Sequence, residues 1–279
     1  MLAPSPPPPT RDLRRLTEQF AVVALRAGAE IMRIYGYRCA VREKADLSPV
    51  TEADEAAEAI VLAGLADIAP EIPVVAEEAV SKGNAPSIGR EFILVDALDG
   101  TREFLKRNHE FTVNIALVRD GVPCCGVVFA PALGKLWIGS DGAEAVSILA
   151  GEPLPPPHRR TRIMARRRPP AGLVALTSRS HCNAETESFL ADLPIVGRRN
   201  AGSSVKFCLL AQGDADVYPR FGPTMEWDTA AGDAVLRAAG GYVNDPGGSA
   251  LRYGKQTEGF RNPCFIAWGR PPNGEITLR

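Results

Sequence analysis

The chain has 279 residues, 45% of them hydrophobic and 23% charged, enough to bury a core without disulfides or a structural metal. A formal net charge of −1 excludes an overall basic field that would draw nucleic acid or an anionic membrane. Six cysteines with no C-x-x-C pair and only three histidines speak against a zinc site, and the cysteines read as free thiols of a reducing compartment.

Pro4 and Pro6–Pro9 interrupt the region where a signal peptide needs an apolar run, so residues 1–10 read as a disordered Pro-rich tail. No later apolar run is long enough to span a bilayer. The expected location is the cytoplasm, with a peripheral seat on the cytoplasmic face of the membrane as the other placement. Leu13, Leu16, Phe20, Val23, Ala27, Ile31 and Ile34 recur at three- and four-residue steps, the apolar face of a long helix that Gly36 ends. Lys44–Thr51 reads as a loop around Pro49, and a second helix starts near Thr51–Asp54. Ile72–Ala76 is a short buried strand ending at Glu77-Glu78, and Phe92–Val95 is another that ends at Asp96. Thr112–Val118 and Val122–Phe129 flank Arg119-Asp120-Gly121, a strong hairpin signal. Lys135–Ser140 and Ala145–Leu149 continue the antiparallel pattern.

Residues 11–150 therefore read as an N-terminal α+β subdomain. Residues 151–170, rich in Pro and Arg, read as a connection with one short strand, its arginines forming a solvated surface. Residues 171–279 form a second, α/β subdomain. Its elements are a strand at Leu173–Thr177, a helix near Ala184–Leu190, a short strand at Pro194–Gly197, a helix at Ser203–Gln212, a strand at Ala215–Tyr218, a helix at Asp228–Ala239 and closing strands at Tyr242-Val243 and Cys264–Trp268. The pattern predicts a layered mixed fold.

Acids recur at the ends of these elements: Asp96 and Asp99 around a turn, Glu77 after a strand, and Asp228 and Asp54 at helix starts. Such carboxylates can converge at one sheet edge and offer hard oxygen ligands to Mg²⁺ or Mn²⁺. Two such ions can clamp the attacking and leaving oxygens of a phosphate displacement. Gly100-Thr101 adds a tight turn into a helix start, where backbone N–H groups face an anion. Taken singly, each feature is equally an ordinary turn, helix cap or surface charge.

Val95-Asp96-Ala97-Leu98-Asp99-Gly100-Thr101 resembles the D-P-[LI]-D-G-T signature of the inositol monophosphatase superfamily, and Glu226-Trp227-Asp228-Thr229-Ala230-Ala231-Gly232 resembles its second signature, W-D-x-A-A-G. Asp46–Asp54, Glu110–Leu117, Gly202–Cys208 and Tyr218–Thr224 narrow the likeness to its CysQ-type 3'(2'),5'-bisphosphate nucleotidase branch. The resemblance runs from about Leu13 to Trp268. It implies an αβαβα sandwich of the sugar-phosphatase type and two or three Mg²⁺ ions, with Mn²⁺ as substitute. Glu77, Asp96, Asp99 and Asp228 would be metal ligands through carboxylates and Leu98 through its carbonyl. Asp54 and Thr101 would orient or deprotonate the attacking water, with Glu77 beside them in the catalytic set. Gly100, Thr101 and Arg102 would cradle the phosphate, while Ser203, Lys206, Arg220 and Asp228 would meet the rest of the nucleotide.

The implied reaction is hydrolysis of adenosine 3',5'-bisphosphate to AMP and phosphate, in the recycling of that nucleotide during sulfate assimilation, with sensitivity to Li⁺. The expected partner is a small phosphorylated nucleotide, with no nucleic acid, on a monomer or homodimer. Two departures stand out: Ala97 replaces the signature's proline, and Ala76 replaces the usual Ser or Gly before the metal-binding Glu. Neither removes a ligand. Competing readings are an inositol or sugar phosphatase, against which the Arg102-Glu103-Phe104 continuation leans, and a regulatory RNA- or protein-binding module using the arginine-rich segment.

Overall fold

The computed structural model describes residues 12–37, 41–43, 49–179 and 183–271. The Pro-rich tail, most of the Lys44–Thr51 loop, Cys39 and Cys182 lie outside them. The first helix, α1 (Leu13–Tyr35), is capped by Asp12, whose side chain accepts from the Arg15 N–H. There follow β1 (Val41–Glu43), β2 (Pro49–Thr51), α2 (Glu52–Ile68), β3 (Val74–Ala76), α3 (Glu77–Ser81), β4 (Glu91–Asp99), α4 (Thr101–Leu105), β5 (Thr112–Arg119), β6 (Val122–Ala130), β7 (Lys135–Gly139), β8 (Ala143–Ser147) and β9 (Thr161–Ile163). The remainder is β10 (Leu173–Ser178), α5 (Ala184–Ala191), β11 (Ile195–Ala201), α6 (Val205–Ala211), β12 (Val217–Arg220), α7 (Glu226–Ala238), β13 (Tyr242–Asn244) and β14 (Phe265–Trp268).

Strands β3 to β9 form a seven-stranded sheet in sequence order, parallel only between β3 and β4. Period-two alternation splits its side chains between two cores. Ile93, Val95, Ile115, Leu117, Val127 and Phe129 face α1 and α2, while Phe92, Leu94, Ala116, Val118 and Val128 face α6, α7 and the second sheet. That second sheet runs β11-β10-β12-β14-β13. Leu173, Ala175 and Val217 on its far side form a smaller core with Leu190 of α5. The layers are thus helix, sheet, helix, sheet, helix, the αβαβα sandwich that the resemblance implies.

Several local expectations are corrected. Strand β4 continues past Asp96 to Asp99, with a slip in its pairing to β5 between the two, because the Leu98 N–H folds back onto Asp96 Oδ1 at 3.0 Å. Glu77 opens the short helix α3 instead of ending a strand. Pro49–Thr51 is not loop but a strand paired antiparallel with Val41–Glu43. The strand expected at Pro194–Gly197 extends through Ala201, and α7 starts at Glu226, two residues before Asp228. The arginine-rich connection is not uniformly solvated. The Arg160 side chain, 3% exposed, bridges Glu18 of α1 and Glu144 of β8, and Arg166 is paired with the buried Asp216. Its short strand, β9, pairs with β8 at the edge of the large sheet. Of the described cysteines, Cys125 and Cys208 are buried, Cys124 and Cys264 half-buried, and all four are free.

Candidate active site

Three elements deliver acids to one place. Glu77 is the first residue of α3, Asp96 lies where β4 slips its register, and Asp228 sits in the first turn of α7. One carboxylate oxygen from each lies within 4.8 Å of the others. Asp228 Oδ2 is aimed by the Thr224 hydroxyl at 2.8 Å and the Met225 N–H at 2.9 Å. Burial, and then the negative charge of Asp99, push the Asp228 carboxyl well above its ordinary value. Carboxylates crowded in this way fit a divalent cation, which would offset their repulsion.

Asp99 lines the same cavity, of about 580 Å³. Its Oδ2 accepts from Ser203 Oγ at 2.6 Å and the Ser204 N–H at 2.8 Å, so it ties the end of β4 to the loop before α6. The next residue, Gly100, has φ 94°, a left-handed conformation that turns the chain into α4. Thr101 then starts α4, and its hydroxyl donates to Asp54 Oδ1 at 2.9 Å. Asp54 does not line the cavity. It is buried in the first turn of α2, where Thr51 donates to Oδ2 from both N–H and hydroxyl at 2.7 Å. Burial raises its carboxyl above the usual range, and those three hydrogen bonds oppose the rise.

The opposite wall is cationic. Lys206 is buried, with Nζ donating to the carbonyls of Ser203 at 2.7 Å and Ala201 at 3.3 Å and lying 5.0 Å from the Tyr218 ring centroid. Burial pushes its ammonium down to about 8, with Asp99 opposing the shift and Arg220 adding to it. Arg220 donates Nη2–H to the Pro223 carbonyl at 2.7 Å, while its Nε–H is buried with no partner. Among the residues expected at the site, Glu77, Asp96, Leu98, Asp99, Gly100, Thr101, Arg102, Ser203, Lys206, Arg220 and Asp228 all line this one cavity.

The family model for the inositol monophosphatase family matches residues 12–266. The chain is 44% identical to the 3'(2'),5'-bisphosphate nucleotidase CysQ of Shigella flexneri over 253 residues, covering 90% of this chain and 98% of the relative. It is 43% identical over the same span to CysQ of Escherichia coli (strain K12). The crystal structure of CysQ from Bacteroides thetaiotaomicron, described as a bacterial member of the inositol monophosphatase family, superposes with a TM-score of 0.78 at 39% identity, covering 93% of this chain and 98% of that one. An inositol monophosphatase from Anabaena shares the fold, with a TM-score of 0.70 at 24% identity.

The chain belongs to the inositol monophosphatase family.

Within this family member, several residues of the site carry no role in the sequence reading. Thr112 and Asn114 of β5 stand at 3.5 and 3.4 Å from Asp99 Oδ2, and Asn114 Nδ2 donates to Ser204 Oγ at 3.0 Å. They sit in a stretch of family-like sequence, which was their only signal. Tyr218 and Thr224 line the cavity from a similar stretch, whereas Ser178, Met225 and Arg261 line it with no sequence signal at all. The family is metal-dependent, and no helix among the described residues is long and apolar enough to cross a membrane.

Proposed function

We propose that this chain is a 3'(2'),5'-bisphosphate nucleotidase, a phosphoric monoester hydrolase that converts adenosine 3',5'-bisphosphate to AMP and phosphate with two or three Mg²⁺ ions. The reading rests on the likeness to the CysQ proteins and on one observation above the rest. A single cavity joins the Glu77, Asp96 and Asp228 cluster to the buried cations Lys206 and Arg220. The first group suits a metal, and the second suits another phosphate.

Residues 11–150 contribute Glu77, Asp96, Asp99 and the Leu98 carbonyl to hold the ions, and residues 171–279 contribute Asp228. When bound, the ions would supply positive charge that offsets the phosphate's negative charge and makes water easier to deprotonate. The Thr101 hydroxyl donates to Asp54, so its oxygen can take a proton from water as its own passes to the carboxylate. The first N–H groups of α4 have no partner within the helix and are available to phosphate oxygens, with Arg102 at the rim. Lys206, Arg220 and Ser203 hold the remaining phosphate and sugar. A monophosphate leaves those cations without their anion, at a cost of about 1.5–3 kcal/mol for each missing charged hydrogen bond.

We place the reaction in the cytoplasm, where the half-buried Cys124 and Cys264 stay reduced, and in the recycling of this nucleotide during sulfate assimilation. Arg160 and Arg166 are engaged internally, and the arginine-rich segment is short, interrupted by prolines and without the interleaved aromatic side chains that stack on RNA bases. A phosphate-release panel tests the substrate. With Mg²⁺, adenosine 3',5'-bisphosphate turns over faster than inositol 1-phosphate or fructose 1,6-bisphosphate. The reverse order would overturn the nucleotide assignment and leave the hydrolase chemistry standing.

A further inference from the structure

Glu110 has no role in the chemistry above, yet separate pieces of the site close on it. Its carboxylate accepts from Nε and Nη2 of Arg179, each at 3.0 Å, and from the Gly202 N–H at 2.8 Å. Its backbone also supports both glycine turns. A Cβ on Gly202 would lie 2.9 Å from the Glu110 carbonyl oxygen and 2.8 Å from Glu103 Cγ, and one on Gly100 would lie 3.2 Å from the same carbonyl oxygen. Only glycine fits at 202, and the fit brings the loop before α6 down onto the turn that follows Asp99.

The consequence falls on the residues flanking Gly202. Ser203 holds φ 51°, unusual for a non-glycine residue and kept only where its surroundings fix it. Its hydroxyl donates to Asp99, and its carbonyl accepts from Lys206 Nζ. On the other side, the Ala201 carbonyl accepts from Lys206 Nζ at 3.3 Å and from the Arg179 N–H at 3.4 Å. Arg179 Nη2 donates in addition to the Asn200 carbonyl at 3.4 Å. Arg179 thus holds the Ala201 carbonyl, and Glu110 holds the Gly202 N–H between the two carbonyls that aim the ammonium.

We propose that Glu110, clamped by Arg179, is a positioning residue that sets substrate preference. It fixes the Ala201–Ser203 backbone, and through it the Lys206 ammonium, at a set distance from the turn that carries Asp99 and Thr101. The proposal rests on the reading of Lys206 as an anchor for the second phosphate. Chemistry at the scissile phosphate depends on the turn, while discrimination depends on the spacing between turn and anchor, and Glu110 controls the spacing.

The test compares kcat and KM for adenosine 3',5'-bisphosphate and for p-nitrophenyl phosphate, both with Mg²⁺, in Glu110→Gln, Arg179→Met, Arg179→Lys and Lys206→Met. In Glu110→Gln the new NH₂ must face either the Gly202 N–H or the guanidinium, donor against donor. KM for the bisphosphate rises about tenfold with kcat changed about twofold or less, and the ratio of kcat/KM between the two substrates falls by a similar factor. Arg179→Met moves in the same direction, and Arg179→Lys recovers part of the ratio. Its half-exposed side chain makes Arg179 a second probe should Glu110→Gln fold poorly. Adding Glu110→Gln to Lys206→Met changes the ratio no further, because both act through one ammonium.

If Lys206→Met changes the ratio and neither Glu110→Gln nor Arg179→Met does, the positioning role is overturned. An equal loss of kcat on both substrates overturns it too, since Glu110 would then act through Asp99. An unchanged ratio in Lys206→Met instead removes the anchor reading itself.

Discussion

Thr101 can take a proton from water only as its own passes on, and Asp54 Oδ1, 2.9 Å away, is placed to receive it while Thr51 holds the other carboxylate oxygen. Thr101→Val keeps the shape and removes the hydroxyl. Phosphate release should show kcat lowered by about 10²–10³, with KM within a few-fold, as expected for loss of a proton-transfer group. Asp54→Asn should match it, because the amide no longer accepts as a carboxylate does. Lys206 titrates differently. Its ammonium, pushed down to about 8, carries the charge that holds an anion below that pH and loses it above. KM for the bisphosphate should therefore be flat up to about pH 7.5 and rise about tenfold per pH unit beyond 8, until the lost anchor no longer contributes. In Lys206→Gln the same profile should be flat and uniformly raised. A rise that persists in the Gln variant would assign the titration to another group.

Elements with strong periodicity were legible from sequence alone: α1 from its apolar face, and the hairpin at Asp120-Gly121 from its turn residues. Short apolar strands such as β3, β7 and β14 were legible as well, but three other short elements were not. Helix α3 and strands β1 and β2 are shorter than any period can reveal, and they are held by tertiary contacts. Asp99 looked like part of a turn after β4, but the strand resumes because Asp96 caps the Leu98 N–H within the slip. Arg160 shows the same limit for charge. A run of arginines reads as solvated, and only the fold reveals that one of them lies between Glu18 and Glu144 and ties the connection to α1 and β8. Arg160→Met keeps the stem's packing and removes both ion pairs. The two glutamates are 20–36% exposed and can turn to water, so the cost should be about 1–3 kcal/mol. Thermal melts should show a Tm lower by several degrees, with kcat and KM unchanged because the pair lies away from the cavity.

At the scale of the whole molecule, the motif order named the acids, but not that they meet. Asp228 is distant in sequence from Glu77 and Asp96, and it reaches them because α7 packs in the layer between the two sheets while β3 and β4 lie in the larger one. The carboxylates thus belong to different layers, and in the absence of a cation their mutual repulsion works against the packing that brings them together. A divalent ion binding the folded arrangement and not the unfolded chain should raise stability by about RT ln(1 + [L]/Kd), about 2.7 kcal/mol at a hundredfold excess over Kd. Chelation with EDTA should therefore both abolish turnover and lower Tm, and graded addition of Mg²⁺ should restore the two together. Asp228→Asn separates the contributions. It removes one charge from the cluster, so the metal-free Tm should be equal to or above that of the parent protein, while the gain in Tm on adding Mg²⁺ shrinks and activity stays low. A metal-free Tm well below the parent's would mean that Asp228 serves the fold through its bonds to Thr224 and Met225 more than it strains it by its charge.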